Sequence, residues 1–214
     1  MKLKELERRS YSFDLTGNAT EEGSIITGRP IVYNSRTDLG FFDEIIEVGA
    51  LDEADLTDVR FLVNHDTSMI PLARSRRNNG NSTMQLTPDT EGLAIEVKLD
   101  TENNSDAKAL YSAVTRGDIS GMSFMFSVND ERWENIDSDH PTRHILKIGS
   151  VVEVSAVTFP AYDSTEIDAR SEAALESARS ALENARQQTA GASVETEQRQ
   201  LMLEKAKFEF KTKF

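Results

Sequence analysis

Over residues 10–162 this chain is a succession of short apolar and polar alternations cut by turn residues. A chain patterned in this way has few options beyond a β-rich fold. Residues 10–15 alternate strictly. Residues 25–33 are β-branched, and Pro30 within them predicts an edge position or a bulge. Residues 41–48 are strand-like, a short helix is expected over 51–56, and residues 59–63 lead into His65. Two strands, 84–86 and 93–99, flank Pro88-Asp-Thr-Glu-Gly92, a hairpin signal. Two further strands are expected over 121–128 and 144–158, the second stopped by Pro160.

One segment in this region has the helical period instead. Over residues 104–116, Ala107, Leu110, Tyr111 and Val114 share a face, with Ser105 as the expected N-cap and Gly117 as the stop. From Arg170 the composition turns to Ala, Glu, Arg and Ser, with Leu175 and Leu182 seven apart. This predicts a helix with a thin apolar stripe. A break is expected over 189–193, then a second, more basic helical piece carrying Leu201, Leu203, Phe208, Phe210 and Phe214. The expected organisation is therefore α+β: a leader over 1–9, a core over 10–169 and a charged helical tail over 170–214.

Composition removes several function classes. There is no cysteine, which excludes disulfides, thiolate zinc sites and a cysteine nucleophile. The formal charge of −13 is a poor match to a nucleic-acid backbone, which needs clustered Lys and Arg. No apolar stretch follows the basic start, so no signal peptide is expected. No run approaches the roughly 18 apolar residues of a membrane span. Residues 115–121 lack the lysine of a phosphate-binding loop, and the histidines and carboxylates are not spaced as metal ligands. No cofactor or metal is expected.

Three strand segments each carry one reactive side chain. In Gly121-Met-Ser-Phe-Met-Phe126, Met122, Phe124 and Phe126 share one face, and Ser123, Met125 and Ser127 the other. Ser123 is either one of twenty serines that happens to lie on a sheet face, or a nucleophile. His65 follows the apolar run Phe61-Leu-Val63, whereas His140 and His144 flank a polar loop and should be solvated. His65 is either a turn residue at a strand end or a general base near neutrality. Glu153 interrupts an apolar strand, where a carboxylate is costly to bury unpaired. It either faces outward or orients His65. Asp66 competes for that role, but neighbours on a strand point to opposite faces.

Taken in order, Gly28-Arg-Pro-Ile-Val-Tyr-Asn34, Phe42-Asp-Glu-Ile-Ile-Glu-Val-Gly-Ala-Leu51, Leu62-Val-Asn-His-Asp66, the 107–116 helix, Gly121-Met-Ser-Phe-Met-Phe126 and Glu153-Val-Ser-Ala-Val-Thr-Phe-Pro-Ala-Tyr162 resemble the HK97-type prohead (capsid maturation) proteases of tailed phages. The resemblance covers about residues 28–170. It implies a serine endopeptidase on a small assemblin-like β-barrel wrapped by helices. Ser123 would be the nucleophile, His65 the general base and Glu153 the third member, a position held by histidine in the herpesvirus enzymes. One departure is Ala73, where many relatives have glycine. The implied partners are the major capsid protein with its scaffolding region, and the chain itself through self-cleavage and a possible dimer, with no nucleic acid and no membrane. The implied place is the host cytoplasm, inside the procapsid. The tail would dock on scaffold, be removed by self-cleavage, or both. The alternatives are a non-enzymatic scaffold or assembly protein that keeps the protease fold, and a β-barrel binding module. Backbone N–H groups over 161–164 are the expected oxyanion hole.

Overall fold

The computed structural model describes residues 6–11, 15–20, 23–158 and 169–211. Among these residues eleven strands form two sheets. The larger contains β1 (Leu6–Tyr11), β4 (Arg36–Asp38), β5 (Asp43–Ile46), β6 (Arg60–Val63), β7 (Ala73–Arg74), β10 (Gly121–Glu134) and β11 (Thr142–Val157). Its spatial order is β1-β10-β11-β5-β4, with β6 pairing both β11 and β7. The smaller sheet runs β2 (Thr16–Thr20), β3 (Gly23–Val32), β9 (Gly92–Leu99) and β8 (Met84–Pro88). Among the described residues neither ladder closes on itself. The fold is thus β-rich α+β, built from mixed and antiparallel sheets.

Strand β11 organises the larger sheet. One edge is taken by the antiparallel hairpin partner β10. The other edge is divided: Thr142–Ile145 run parallel to β5, and Glu153–Ala156 run parallel to β6. Register shifts along the β10–β11 ladder bend the ribbon between these two halves.

A single main core lies where the two sheets and one helix meet. Ile26, Ile31, Leu93, Ile95 and Val97 come from the smaller sheet, and Met122, Phe124, Phe126, Ile145, Val154 and Ala156 from the larger. Helix α1 (Ser105–Arg116) adds Ala107, Leu110 and Val114, the stripe its 3.6-residue period predicts. Burying each of these side chains larger than alanine contributes about 1.5–3 kcal/mol. Asn104, not Ser105, caps α1. Its extended backbone lets its side-chain oxygen accept from the free N–H groups of Asp106 and Ala107. Gly117 closes the helix in the left-handed region at φ 78°.

The hairpin signal at 88–92 forms as expected, with Gly92 at φ 147° and its Cα so close to the Ile31 carbonyl that a Cβ would sit 2.0 Å from that oxygen. Pro30 lies in a register shift between Gly28 and Ile31, the bulge its missing N–H demands.

Several expectations are corrected. Residues 51–56 form no helix. The bonds Ala50 N–H to Glu47 O, Asp52 N–H to Gly49 O and Ala54 N–H to Leu51 O close successive four-residue β-turns. The sheet begins at Leu6 rather than Ser10, and β1 is held by ion pairs described below. His144 is buried on β11, with Nδ1 2.6 Å from Glu47, although His140 is exposed as expected.

Helix α2 (Ala169–Lys211) is continuous through 189–193. Its early part is attached to the core surface. Leu182 is buried against Phe42 beside Phe41 and Trp133, and Arg179 stacks over Phe41 at 4.3 Å. Arg186 donates to the carbonyls of Ile136 and Ser138. Farther on, Leu201, Met202 and Leu203 are exposed. Among the described residues no helix is long and apolar enough to cross a membrane.

Candidate active site

The adjacency of β10, β11 and β6 brings the three candidate residues together. Ser123 on β10 lies directly opposite Ser155 on β11, and Met125 opposite Glu153. Ser123, Glu153 and Ser155 therefore share one face of the ribbon. On the far side of β11, β6 runs parallel and ends at Val63, opposite Ala156. The chain then turns, and the His65 ring reaches back over Glu153 toward Ser123.

The result is an unbroken relay. His65 Nε2 lies 2.6 Å from Ser123 Oγ, and His65 Nδ1 lies 2.7 Å from Glu153 Oε2. Glu153 does not face outward: it is 3% exposed, and its burial is compensated by hydrogen bonds on both oxygens. Asp66 takes no part in the relay. Its carboxylate accepts from the backbone N–H and hydroxyl of Ser68.

Two residues that sequence reasoning missed hold the imidazole in place. Asn64 and His65 are both left-handed, at φ 51° and 58°, a conformation that costs non-glycine residues about 1–3 kcal/mol unless the surroundings impose it. They are imposed here. Asn64 N–H donates to Ala156 O, and its side chain exchanges hydrogen bonds with Thr158 at 3.1 and 3.0 Å. Ser155 Oγ accepts from His65 N–H at 3.0 Å and donates to Glu153 Oε1. One hydroxyl thus fixes both the backbone of the histidine and the carboxylate it meets. The signal for Ser155 was in the sequence: two residues from Glu153 on a strand, it had to share that face.

Ser123 itself is fully buried. Ser10 Oγ donates to its Oγ at 2.7 Å, and Ser123 Oγ donates to the Arg9 carbonyl at 2.8 Å. Beneath β1 lies a compact ionic network. Arg9 pairs with Glu44 through both Nε and Nη2, at 2.5 and 2.6 Å, and with Glu7. Arg143 makes a bidentate pair with Glu7 at 2.6 and 2.8 Å, and also reaches Glu44 and Glu131. Burial works against both guanidinium charges, yet Glu44 and Glu7 hold Arg9 and Arg143 above the ordinary arginine value. They stay charged at any working pH.

Ala73 sits in extended β7, paired with Phe61, so the fold asks for no glycine-only backbone there. The expected oxyanion hole at 161–164 lies outside the described residues. Asp38, Asp43 and His140 bring ligand-type atoms within 4.8 Å of one another. Arg36 also pairs with Asp43, which makes this an ion-pair cluster at the β4–β5 hairpin.

Serine and carboxylate on two adjacent strands, joined in series by an imidazole from the turn after a third, are the equipment of a nucleophilic hydrolase. Comparison by sequence gives the same class: residues 5–179 match the caudovirus prohead serine protease family. The chain belongs to that family and is a serine protease of phage capsid maturation. Among solved structures it is similar to the bacteriophage T4 capsid assembly protease, at 11% identity and a TM-score of 0.40, over 73% of this chain and 98% of that one. No curated protein matches it.

Proposed function

We propose that this chain is a prohead endopeptidase that cleaves the scaffolding region of the major capsid protein, and itself, inside the procapsid. The observation that carries the reading is the Ser123–His65–Glu153 relay, with both links at hydrogen-bond distance. Ser123 Oγ attacks the scissile carbonyl carbon while its proton passes to His65 Nε2. Glu153 holds the ring through Nδ1 and stabilises the imidazolium. The C–N bond breaks as His65 returns the proton to the leaving amine. Water, activated by the same imidazole, then releases the acyl group from Ser123.

The domain assignment belongs to this proposal. Residues 10–169 form the proteolytic core, extended by the β1 residues before it, and their two sheets packed on one core support an assemblin-like barrel. Residues 170–214 form the tail, which docks on scaffold, is removed by self-cleavage, or both. The exposed Leu201, Met202 and Leu203 support the docking role.

One observation favours a second reading. If β1 never leaves the fully buried Ser123, the chain is an assembly protein that keeps the protease fold. Co-expression with the capsid protein, wild type against Ser123→Ala, with mass spectrometry of the products, separates the two. Loss of capsid and self-processing in the variant supports the protease. Continued processing leaves the Ser123 mechanism untenable.

A further inference from the structure

A serine that attacks peptide bonds must be reachable, and Ser123 is not. Among the described residues the groups on Ser123 Oγ, apart from His65, are Ser10 Oγ and the Arg9 carbonyl, both from β1. They do more than cover it. The Ser123 hydroxyl has one proton to donate, and the Arg9 carbonyl competes for it with His65 Nε2. In this arrangement the relay is built but its first proton is drawn away from the base.

β1 occupies this place as an extended peptide would. It pairs antiparallel with β10 over six residues, Leu6 opposite Ser127 through Tyr11 opposite Met122, with Ser10 opposite Ser123. Its two faces have separate tasks. Ser10 turns to the nucleophile, while Glu7 and Arg9 turn to the opposite face, where Arg9 lies over the Phe126 ring and enters the Glu44–Arg143 network. β1 brings one positive and one negative charge to that network. The side chains beneath it, Glu44, Arg143 and Glu131, carry a net single negative charge. Lifting β1 would expose a row of unpaired N–H and C=O groups on the strand that carries the nucleophile, beside a buried carboxylate shaped for a guanidinium.

We propose that this edge of β10 is the substrate groove, that Glu44 receives an arginine side chain of an extended peptide bound there, and that β1 is the groove's intramolecular occupant. Substrate then binds by strand addition: main-chain hydrogen bonds to β10 supply affinity, and the acidic site supplies selectivity. The proposal rests on the protease reading above and adds the location and chemistry of its substrate site.

A reversible lock tests it. The chain has no cysteine, so Arg8→Cys with Met125→Cys, directly opposite in the register, introduces one thiol pair. Facing Cβ atoms in an antiparallel pair lie roughly 4.5–5.5 Å apart, close enough for a disulfide after slight adjustment. The readout is the rate at which a fluorophosphonate labels Ser123 in the full chain, oxidised and reduced. Oxidation should slow labelling on the order of 100-fold or more, because it removes the minor open state through which reaction proceeds. Reduction should restore it.

In the reduced variant, a peptide with the sequence of residues 6–11 should compete with labelling. The same peptide with alanine in place of the arginine at position 9 should compete roughly 30-fold less well, the scale of losing one partner of a buried charge pair. Equal labelling in both redox states, or thiols that never cross-link, overturns the groove. Equal competition by the two peptides overturns the arginine site. A wild-type chain that neither labels at Ser123 nor processes capsid protein brings down the protease reading first, and this proposal with it.

Discussion

Two buried polar clusters lie on the same sheet, and they are built on opposite principles. The relay of Ser123, His65 and Glu153 is linear, and the charge along it depends on where a proton sits. The network of Glu7, Arg9, Glu44, Arg143 and Glu131 is cross-linked, and its guanidiniums hold their protons throughout. One cluster is arranged so that a proton can move; the other is arranged so that nothing does. The first is held from behind by Ser155 and the Asn64–Thr158 pair. The second is itself a clamp, tying β1 to β5 and β11. Damage to the two should therefore register in different measurements.

The largest effect is expected at Ser123, the proposed nucleophile. Ser123→Ala should lower kcat/KM by roughly 10⁴-fold or more, and adding His65→Ala should cost little further, because members of such a unit fail together. Chemical denaturation should find the variant within about 1–2 kcal/mol of the wild type, the scale of its lost buried hydrogen bonds. The converse belongs to Arg143. Arg143→Ala leaves Glu7, Glu44 and Glu131 with Arg9 as the one remaining guanidinium of the network and should cost about 3–5 kcal/mol of stability, read as a lower denaturation midpoint. If Ser123→Ala destabilised the fold as much as Arg143→Ala, the separation between a working cluster and a holding cluster would collapse.

Ser155→Ala sharpens the comparison, since Ser155 braces His65 and Glu153 from behind. Losing its bonds to His65 N–H and Glu153 should reduce kcat about 10- to 100-fold, the scale of a lost buried hydrogen bond. The pH profile of kcat/KM should move as well, and Ser155→Thr should restore part of the rate. An unmoved profile would mean that Ser155 only fills space.

The members of the relay were legible as candidates for a physical reason, and their assembly into one unit followed from the family resemblance. Histidine is rare here, a carboxylate inside an apolar strand demands a partner, and strand alternation fixes which side chains share a face. The ionic network was not legible. Arg and Glu are abundant in this chain, and the Glu7–Arg143 pair joins residues 136 positions apart. Without that pairing nothing marks 6–9 as strand, so the core was expected to start at Ser10. Helix α2 was misjudged on local grounds. A single Gly191 costs about 1 kcal/mol relative to alanine, too little to end a helix among strong helix formers. The 51–56 segment failed in the other direction: a short helix was expected, and the hydrogen bonds around it close four-residue turns instead.

The smallest expected effect isolates one charge of the clamp. Burial pushes the Glu7 carboxyl up, but hydrogen bonds and charge from Arg143 and Arg9 outweigh it and hold Glu7 below the ordinary glutamate range. The unfolded chain therefore takes up this proton at higher pH than the folded one. Glu7's electrostatic contribution is fully present above the ordinary glutamate value, about 4.3, and is lost as pH falls through the lower folded value. Glu7→Gln keeps the shape of the side chain and removes its charge. Because Arg143 retains Glu44 and Glu131, the variant should lose only roughly 1–2 kcal/mol at neutral pH. The gap to wild type should stay constant from neutrality down to mild acidity and then narrow in the acid range. Urea midpoints for both proteins along a pH series measure it. A gap that stays open in acid would assign Glu7 a packing role, and the clamp on β1 would then rest on the Arg9–Glu44 pair.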